Sequence, residues 1–85
     1  MNPKINIGCG DENFEGYYRL DYDNQFKPDK IWNLNKFPYP FKDNTWGEIY
    51  TSHVLEHVDD IYAVLHEMFR ITKVGGIIHI KMPHH

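Results

Sequence analysis

Eighty-five residues allow one small domain, 1–85, burying about 60–65% of its unfolded surface. A hydrophobic content of 41% and an aromatic content of 15% supply a core and exclude wholesale disorder. A net charge of −3 leaves no basic footprint for nucleic acid, and no stretch reaches the ~18 apolar residues of a membrane span.

Ile5 to Ile7 forms an apolar run that stops at Gly8-Cys9-Gly10, predicting a buried strand ended by a tight turn. Tyr17 to Asp21, rich in aromatics that favour extended chain, predicts a second strand, and Ile31-Trp32 a third. Six residues lie between Gly10 and Tyr17, whereas a helical crossover between parallel strands takes a dozen or more. The first crossover helix is therefore expected to shrink to a loop or a single turn. Asn35 to Thr45 carries Pro38 and Pro40 among polar residues and predicts a loop, after which Glu48 to Ser52 resumes strand character.

From Val54 to Ile71 the period changes. Val58, Ile61, Tyr62, Leu65, Met68 and Phe69 recur at three- and four-residue steps and predict one apolar helix face. Asp59 and Asp60 are expected to interrupt this run and cap the longer helix. Gly75-Gly76 is expected to end the helix in a turn, with Arg70 and Lys73 near its carboxyl end. Ile77 to Met82 predicts a last strand, stopped by Pro83. Strands interleaved with helix give an α/β class.

The glycine turn and Asp21 carry the chemistry. Glycine lets a backbone turn approach a ligand closely, and an acid ending the next strand accepts hydrogen bonds from ribose hydroxyls. The dinucleotide fingerprint is not met: Asn13 stands at the third-glycine position, and Asp21 comes too early for the usual spacing of about 20 residues. A ligand with one ribose and no pyrophosphate asks less of the loop, and S-adenosylmethionine is such a ligand. Taken alone, each of these residues also suits an ordinary turn.

Five ordered segments, "INIGCG", "RLDYD", "NLNKFPYPFKDNTW", "IYTSHVLEHV" and "EMFRITKVGGIIHIKMP", make the chain from Lys4 to Pro83 resemble the class I S-adenosylmethionine-dependent methyltransferases. Within them it is similar to the small "type 11" methyltransferase domain. The resemblance implies a Rossmann-like, mostly parallel sheet in the order 3-2-1-4-5 with helices on its faces. It implies S-adenosylmethionine as cofactor and S-adenosylhomocysteine as product. It also assigns a cofactor site: Asn6, Gly8, Cys9 and Gly10 around the methionyl group and ribose, Asp21 on the ribose hydroxyls, and Tyr22 against the adenine. Asn33 and Leu34 would meet the adenine edge, and Ser52 and His53 the methyl-transfer position. The implied reaction is in-line displacement at the sulfonium methyl by an unidentified acceptor. His53 is the candidate general base for an acceptor protonated at working pH, because imidazole titrates near neutrality. No metal is required.

Several positions depart from that pattern. Asn13 replaces a glycine, Gly47 stands where an aspartate is usual, and Val74 replaces the proline of Lys-Pro-Gly-Gly. The family's last two strands have no counterpart, so Ile77–Met82 is expected to be an apolar sheet edge that pairs with a second copy or another chain. The chain then reads as a short enzyme or as a fragment of a longer one. A non-catalytic S-adenosylmethionine-binding module, or a cofactor-binding half completed by a partner chain, is the alternative function.

A remote alternative is a zinc hydrolase, because His53, Glu56 and His57 match H-x-x-E-H. That chemistry needs both histidines on one helix face and a further ligand, whereas His53 closes a predicted strand. His57 and His66 are read as solvated helix positions. Trp32, Trp46, Phe37, Tyr39 and Phe41 are read mainly as packing groups. His84-His85 is read as natural sequence rather than a tag remnant. A lone cysteine, Cys9, fits a reducing compartment, and without a secretory h-region a cytoplasmic location is expected.

Overall fold

The computed structural model describes residues 3–82, so the reading of His84-His85 and the strand stop at Pro83 lie outside the described residues. Among the described residues, five strands and one α-helix follow in the order β1 (Lys4–Ile7), β2 (Tyr17–Asp21), β3 (Lys30–Ile31), β4 (Trp46–Ser52), α1 (Ile61–Ile71) and β5 (Thr72–Lys81). The strands form one sheet in the order β3-β2-β1-β4-β5, and every neighbouring pair is parallel. This is the Rossmann-like α/β arrangement that the sequence predicts.

Strand residues alternate between the two faces of a sheet. The register aligns Ile5 with Tyr18 and Ile49, and Ile7 with Leu20 and Thr51, which collects the apolar side chains on one face. There Ile5, Ile7, Leu20 and Ile49 pack with Val64, Met68 and Ile71 of α1, all of them fully buried. The opposite face carries Lys4, Asn6, Tyr17, Arg19, Glu48, Tyr50 and His79, with Ile77 opposite Glu48 on the outer strand. Residues 8–16 cross from β1 to β2 without a helix, so helical cover among the described residues lies on one face rather than on both.

Helix α1 starts where predicted: the Asp60 carboxylate accepts from the Ala63 N–H at 3.1 Å. Its buried stripe lies elsewhere. Val64, Glu67, Met68 and Ile71 are buried, while Tyr62 and Phe69 are 82% and 73% exposed. The sheet-facing line is rotated by about 100°, one residue step, from the predicted face. The rotation brings a carboxylate, Glu67, inward.

Gly75-Gly76 does not end the helix. Thr72 is already extended, at φ −89° and ψ 137°, and both glycines lie inside β5. Trp46 aligns with Thr72 and Glu48 with Ile77, so Lys73–Gly76 bulge out opposite Gly47. A Cβ on Gly76 would sit 2.6 Å from Thr72 Cγ2 and 2.9 Å from the Gly47 carbonyl, so close backbone approach requires glycine there. Lys73 is consequently a strand residue, and Trp32 falls just beyond the short β3. On β5, the last strand of the sheet, Val74, Ile77 and Ile80 are 96%, 53% and 41% exposed. Among the described residues, no helix is long and apolar enough to cross a membrane.

Candidate functional site

The carboxyl ends of β1, β2 and β4 meet around the glycine turn. The Gly8 and Cys9 N–H groups both donate to the Leu20 carbonyl, at 2.8 and 3.2 Å, tying the start of the turn to β2. Gly8 has φ +71°, and a Cβ there would lie 2.3 Å from Val54 Cγ2, so no larger residue fits. Gly10, at φ +53°, faces open space instead: nothing lies within 4 Å of an added Cβ. Its N–H donates to Asp21 Oδ2 at 2.7 Å, while Asp21 Oδ1 accepts from the Asp23 N–H at 3.0 Å. The turn and the carboxylate thus meet directly. An ionised carboxylate offers about four lone-pair sites, so two backbone donors leave capacity for two more.

A cleft of about 730 Å³ opens beside this junction. Of the residues predicted for the site, Gly8, Asp21, Tyr22, Asn33, Leu34 and His53 line it. Asn6, Cys9, Gly10 and Ser52 are not among its lining residues. Cys9 is buried, and burial pushes its thiol pKa up, which leaves it an inert packing group. Asn6 is fully buried, and neither polar atom of its amide has a hydrogen-bond partner among the described residues.

The side of the cleft beyond β3 is walled by Ile31, Trp32, Asn33 and Leu34. Asn33 Oδ1 accepts from the Asn35 N–H at 2.9 Å, closing an Asx turn, and its amide nitrogen has no hydrogen-bond partner among the described residues. The Leu34 carbonyl accepts from the Tyr39 hydroxyl at 2.9 Å. Tyr39 is held in turn by Glu67, whose Oε1 accepts from the Tyr39 N–H at 2.6 Å. Arg70 donates to both oxygens of Glu67, at 2.7 and 2.9 Å, and to the Tyr39 and Phe41 carbonyls. The Arg70 guanidinium holds the Glu67 carboxyl below the usual carboxylate range, and burial pushes the Tyr39 hydroxyl pKa up. A charged clamp on α1 therefore fixes the loop that walls the cleft. Sequence reasoning missed Glu67, because 28 residues separate it from its Tyr39 partner and no local period marks the pair.

The fourth strand supplies the cleft's other wall. His53 follows β4 with φ +57°, a strained conformation for a residue with a Cβ, and its N–H donates to the Lys81 carbonyl at 2.8 Å. This bend turns the chain into a short 3-10 turn, Leu55–His57, instead of an α-helix. His57 consequently lines the cleft with His53, where the sequence places it on a solvated helix. His53 Nδ1 and His57 Nε2 lie 3.7 and 3.6 Å from the same Glu56 oxygen. Zinc hydrolysis needs these histidines one helical turn apart, and the 3-10 geometry removes that helix. Among the described residues, no group of three or more His, Cys, Asp or Glu could hold a metal ion. Trp32 also reaches the cleft, its indole N–H donating to the Lys36 carbonyl at 3.2 Å.

A family model described as a methyltransferase domain matches residues 5–80. An uncharacterized methyltransferase of Schizosaccharomyces pombe is 39% identical over 49 residues, covering 58% of this chain and 17% of that protein. The chain thus spans less than a fifth of that relative's length. A parallel 3-2-1-4-5 sheet, a cleft at its carboxyl ends and a family match over nearly the whole sequence together make this chain a member of the methyltransferase domain family.

Proposed function

We propose that the cleft binds S-adenosylmethionine and that the domain transfers its methyl group to an acceptor. The contact that carries this reading is Gly10 N–H to Asp21, which ties the glycine turn to the strand-end carboxylate that lines the cleft. The donor set fits the cofactor. Asp21 retains lone pairs for two ribose hydroxyls, Tyr22 and Ile31 offer apolar area for adenine, and Asn33 offers an amide donor for its edge. The open space at Gly10 admits close approach to the backbone. The cleft volume lies within the roughly 300–1,000 Å³ usual for small-molecule sites.

When bound, the cofactor supplies an electrophilic sulfonium methyl for in-line displacement. The protein's own part is positioning and exclusion of water. His53 stands at the cleft with its backbone fixed, so it is the candidate base that takes a proton from a protonated acceptor. A single cysteine, with no second one in this sequence to pair with, supports a reducing, cytoplasmic setting.

Calorimetric titration with S-adenosylmethionine and S-adenosylhomocysteine tests the reading. Wild type should bind both, and Asp21→Ala should lower affinity at least 100-fold, since two charge-assisted hydrogen bonds are lost at about 1.5–3 kcal/mol each. Unchanged affinity in that variant would contradict the site. We also propose that a second copy covers the β5 edge, where Val74, Ile77 and Ile80 stand exposed. Light scattering on the eluted protein should then report a dimer, and a stable monomer at high micromolar concentration refutes the pairing.

A further inference from the structure

We infer that Arg19 is a positioning residue for the cofactor turn, performing the task that a crossover helix would otherwise perform. The inference rests on the S-adenosylmethionine reading of the cleft. Residues 8–16 join two parallel strands without a helix; the Cys9 and Phe14 carbonyls accept from backbone N–H groups, but those of Gly10 and Glu12 lack the partners a helix supplies. Arg19 provides them from the sheet. Its Nη2 donates to the Gly10 carbonyl at 2.9 Å, and its Nε donates to the Glu12 carbonyl at 3.0 Å. Its Nη1 reaches the loop after β2 and donates to the Lys27 carbonyl at 3.0 Å. Lys27 sits at φ +49°, closing the 3-10 turn Asn24–Phe26.

The Gly10 residue is therefore gripped on both sides, its N–H by Asp21 and its carbonyl by Arg19. Both grips come from β2, two residues apart. The base of the clamp is fixed as well, because the Arg19 N–H donates to Asp29 Oδ2 at 2.8 Å. Arg19 itself does not line the cleft, so it acts on a ligand only through the turn. A planar fork with donors at fixed angles suits this task, whereas a lysine ammonium spreads its donors around one point. The far wall of the cleft is held separately, by the Tyr39 hydroxyl on the Leu34 carbonyl. The two ends of a ligand thus depend on different clamps. Arg19 governs the end at the glycine turn, and Tyr39 the end beyond β3.

The test compares S-adenosylhomocysteine with adenosine, which lacks the amino-acid arm, on wild type, Arg19→Ala and Arg19→Lys. Arg19→Ala should lose at least tenfold in S-adenosylhomocysteine affinity and no more than threefold in adenosine affinity. Arg19→Lys should recover only part of the loss. Millimolar methylguanidinium should restore binding to the alanine variant, a rescue that general destabilisation does not allow. Equal losses for the two ligands in a folded variant, or full recovery by lysine, overturn the inference and leave the cofactor reading standing. A wild type that binds neither ligand overturns the cofactor reading, and the Arg19 inference with it. Unfolding of both variants also overturns it, because Arg19 then serves the fold rather than the turn.

Discussion

The two faces of this sheet solve different problems with the same strands. On one face Ile5, Ile7, Leu20 and Ile49 are sealed beneath α1. On the other, Tyr17 donates to Glu48, His79 approaches Glu48 at 3.5 Å, Lys4 lies over the Tyr17 ring, and Phe14 packs edge-on against Tyr17 and Tyr50. All-parallel sheets are normally covered on both faces, and their strands then read as unbroken apolar runs. These strands alternate instead, as in an antiparallel sheet with one wet face. The loss of the first crossover helix is thereby matched in the side chains: where no helix packs they are polar, aromatic or charged, apart from Ile77 on the outer strand β5. The two faces should respond to mutation very differently.

The largest effect is expected on the covered face. Ile49→Ala should cost about 2–5 kcal/mol, the usual range for truncating a fully buried aliphatic residue, which is much of a small domain's stability. His79→Ala, one strand away on the wet face and half-exposed, should stay within about 0.5 kcal/mol. Urea denaturation of both variants measures the contrast. Equal losses would mean that the polar face is packed against something as firmly as the apolar one.

How far this division could be read from residues alone depends on the range of each interaction. Strand β2 was legible because Tyr17 to Asp21 is rich in aromatics that favour extended chain, and the Asp60 cap because its partner lies three residues on. The convergence of Gly10 and Asp21 was legible from a glycine turn ending one strand and an acid ending the next. The inward face of α1 was not, because Glu67 is drawn in by Arg70 and by a loop 28 residues away, not by apolar periodicity. Nor was the approach of His57 to the cleft, which follows from a positive φ at His53 that a histidine does not announce. Gly75-Gly76 misled for a related reason: what requires glycine is a positive φ at Gly75 within the bulge and the β4 backbone opposite Gly76, not a helix end.

Glu67 tests the border between the faces, since it is the ionised group that the covered side admits at its rim. Glu67→Gln weakens its charge-assisted bonds with Arg70 and should cost about 2 kcal/mol near neutral pH. The folded-state pKa of Glu67 lies below its unfolded value, so its contribution is present above the unfolded carboxylate pKa of about 4.3. That contribution fades as pH falls through the folded value. The stability gap between wild type and Glu67→Gln should therefore narrow in acid, as urea midpoints at neutral and strongly acidic pH will show. A gap that persists unchanged in acid would assign the loss to packing instead of charge.

The smallest effect belongs to the wet face. Its hydrogen bond from Tyr17 to Glu48 pushes the phenol pKa up to about 12 and lowers the Glu48 carboxyl below its usual range. Tyr17→Phe should cost about 0.5–1.5 kcal/mol at neutral pH, the net value of a single hydrogen bond, with solvent access favouring the lower end. Because the folded-state pKa is raised, this stabilisation is complete below the unfolded phenol value of about 10 and disappears as pH climbs through about 12. An ultraviolet titration subtracting Tyr17→Phe from wild type isolates one phenol. A midpoint near 12 keeps the cross-strand pair as a structural bond on the exposed side of the sheet. A midpoint near 10 would mean that water already competes successfully for both partners, and the wet face would then contribute side-chain solubility without cross-strand cohesion.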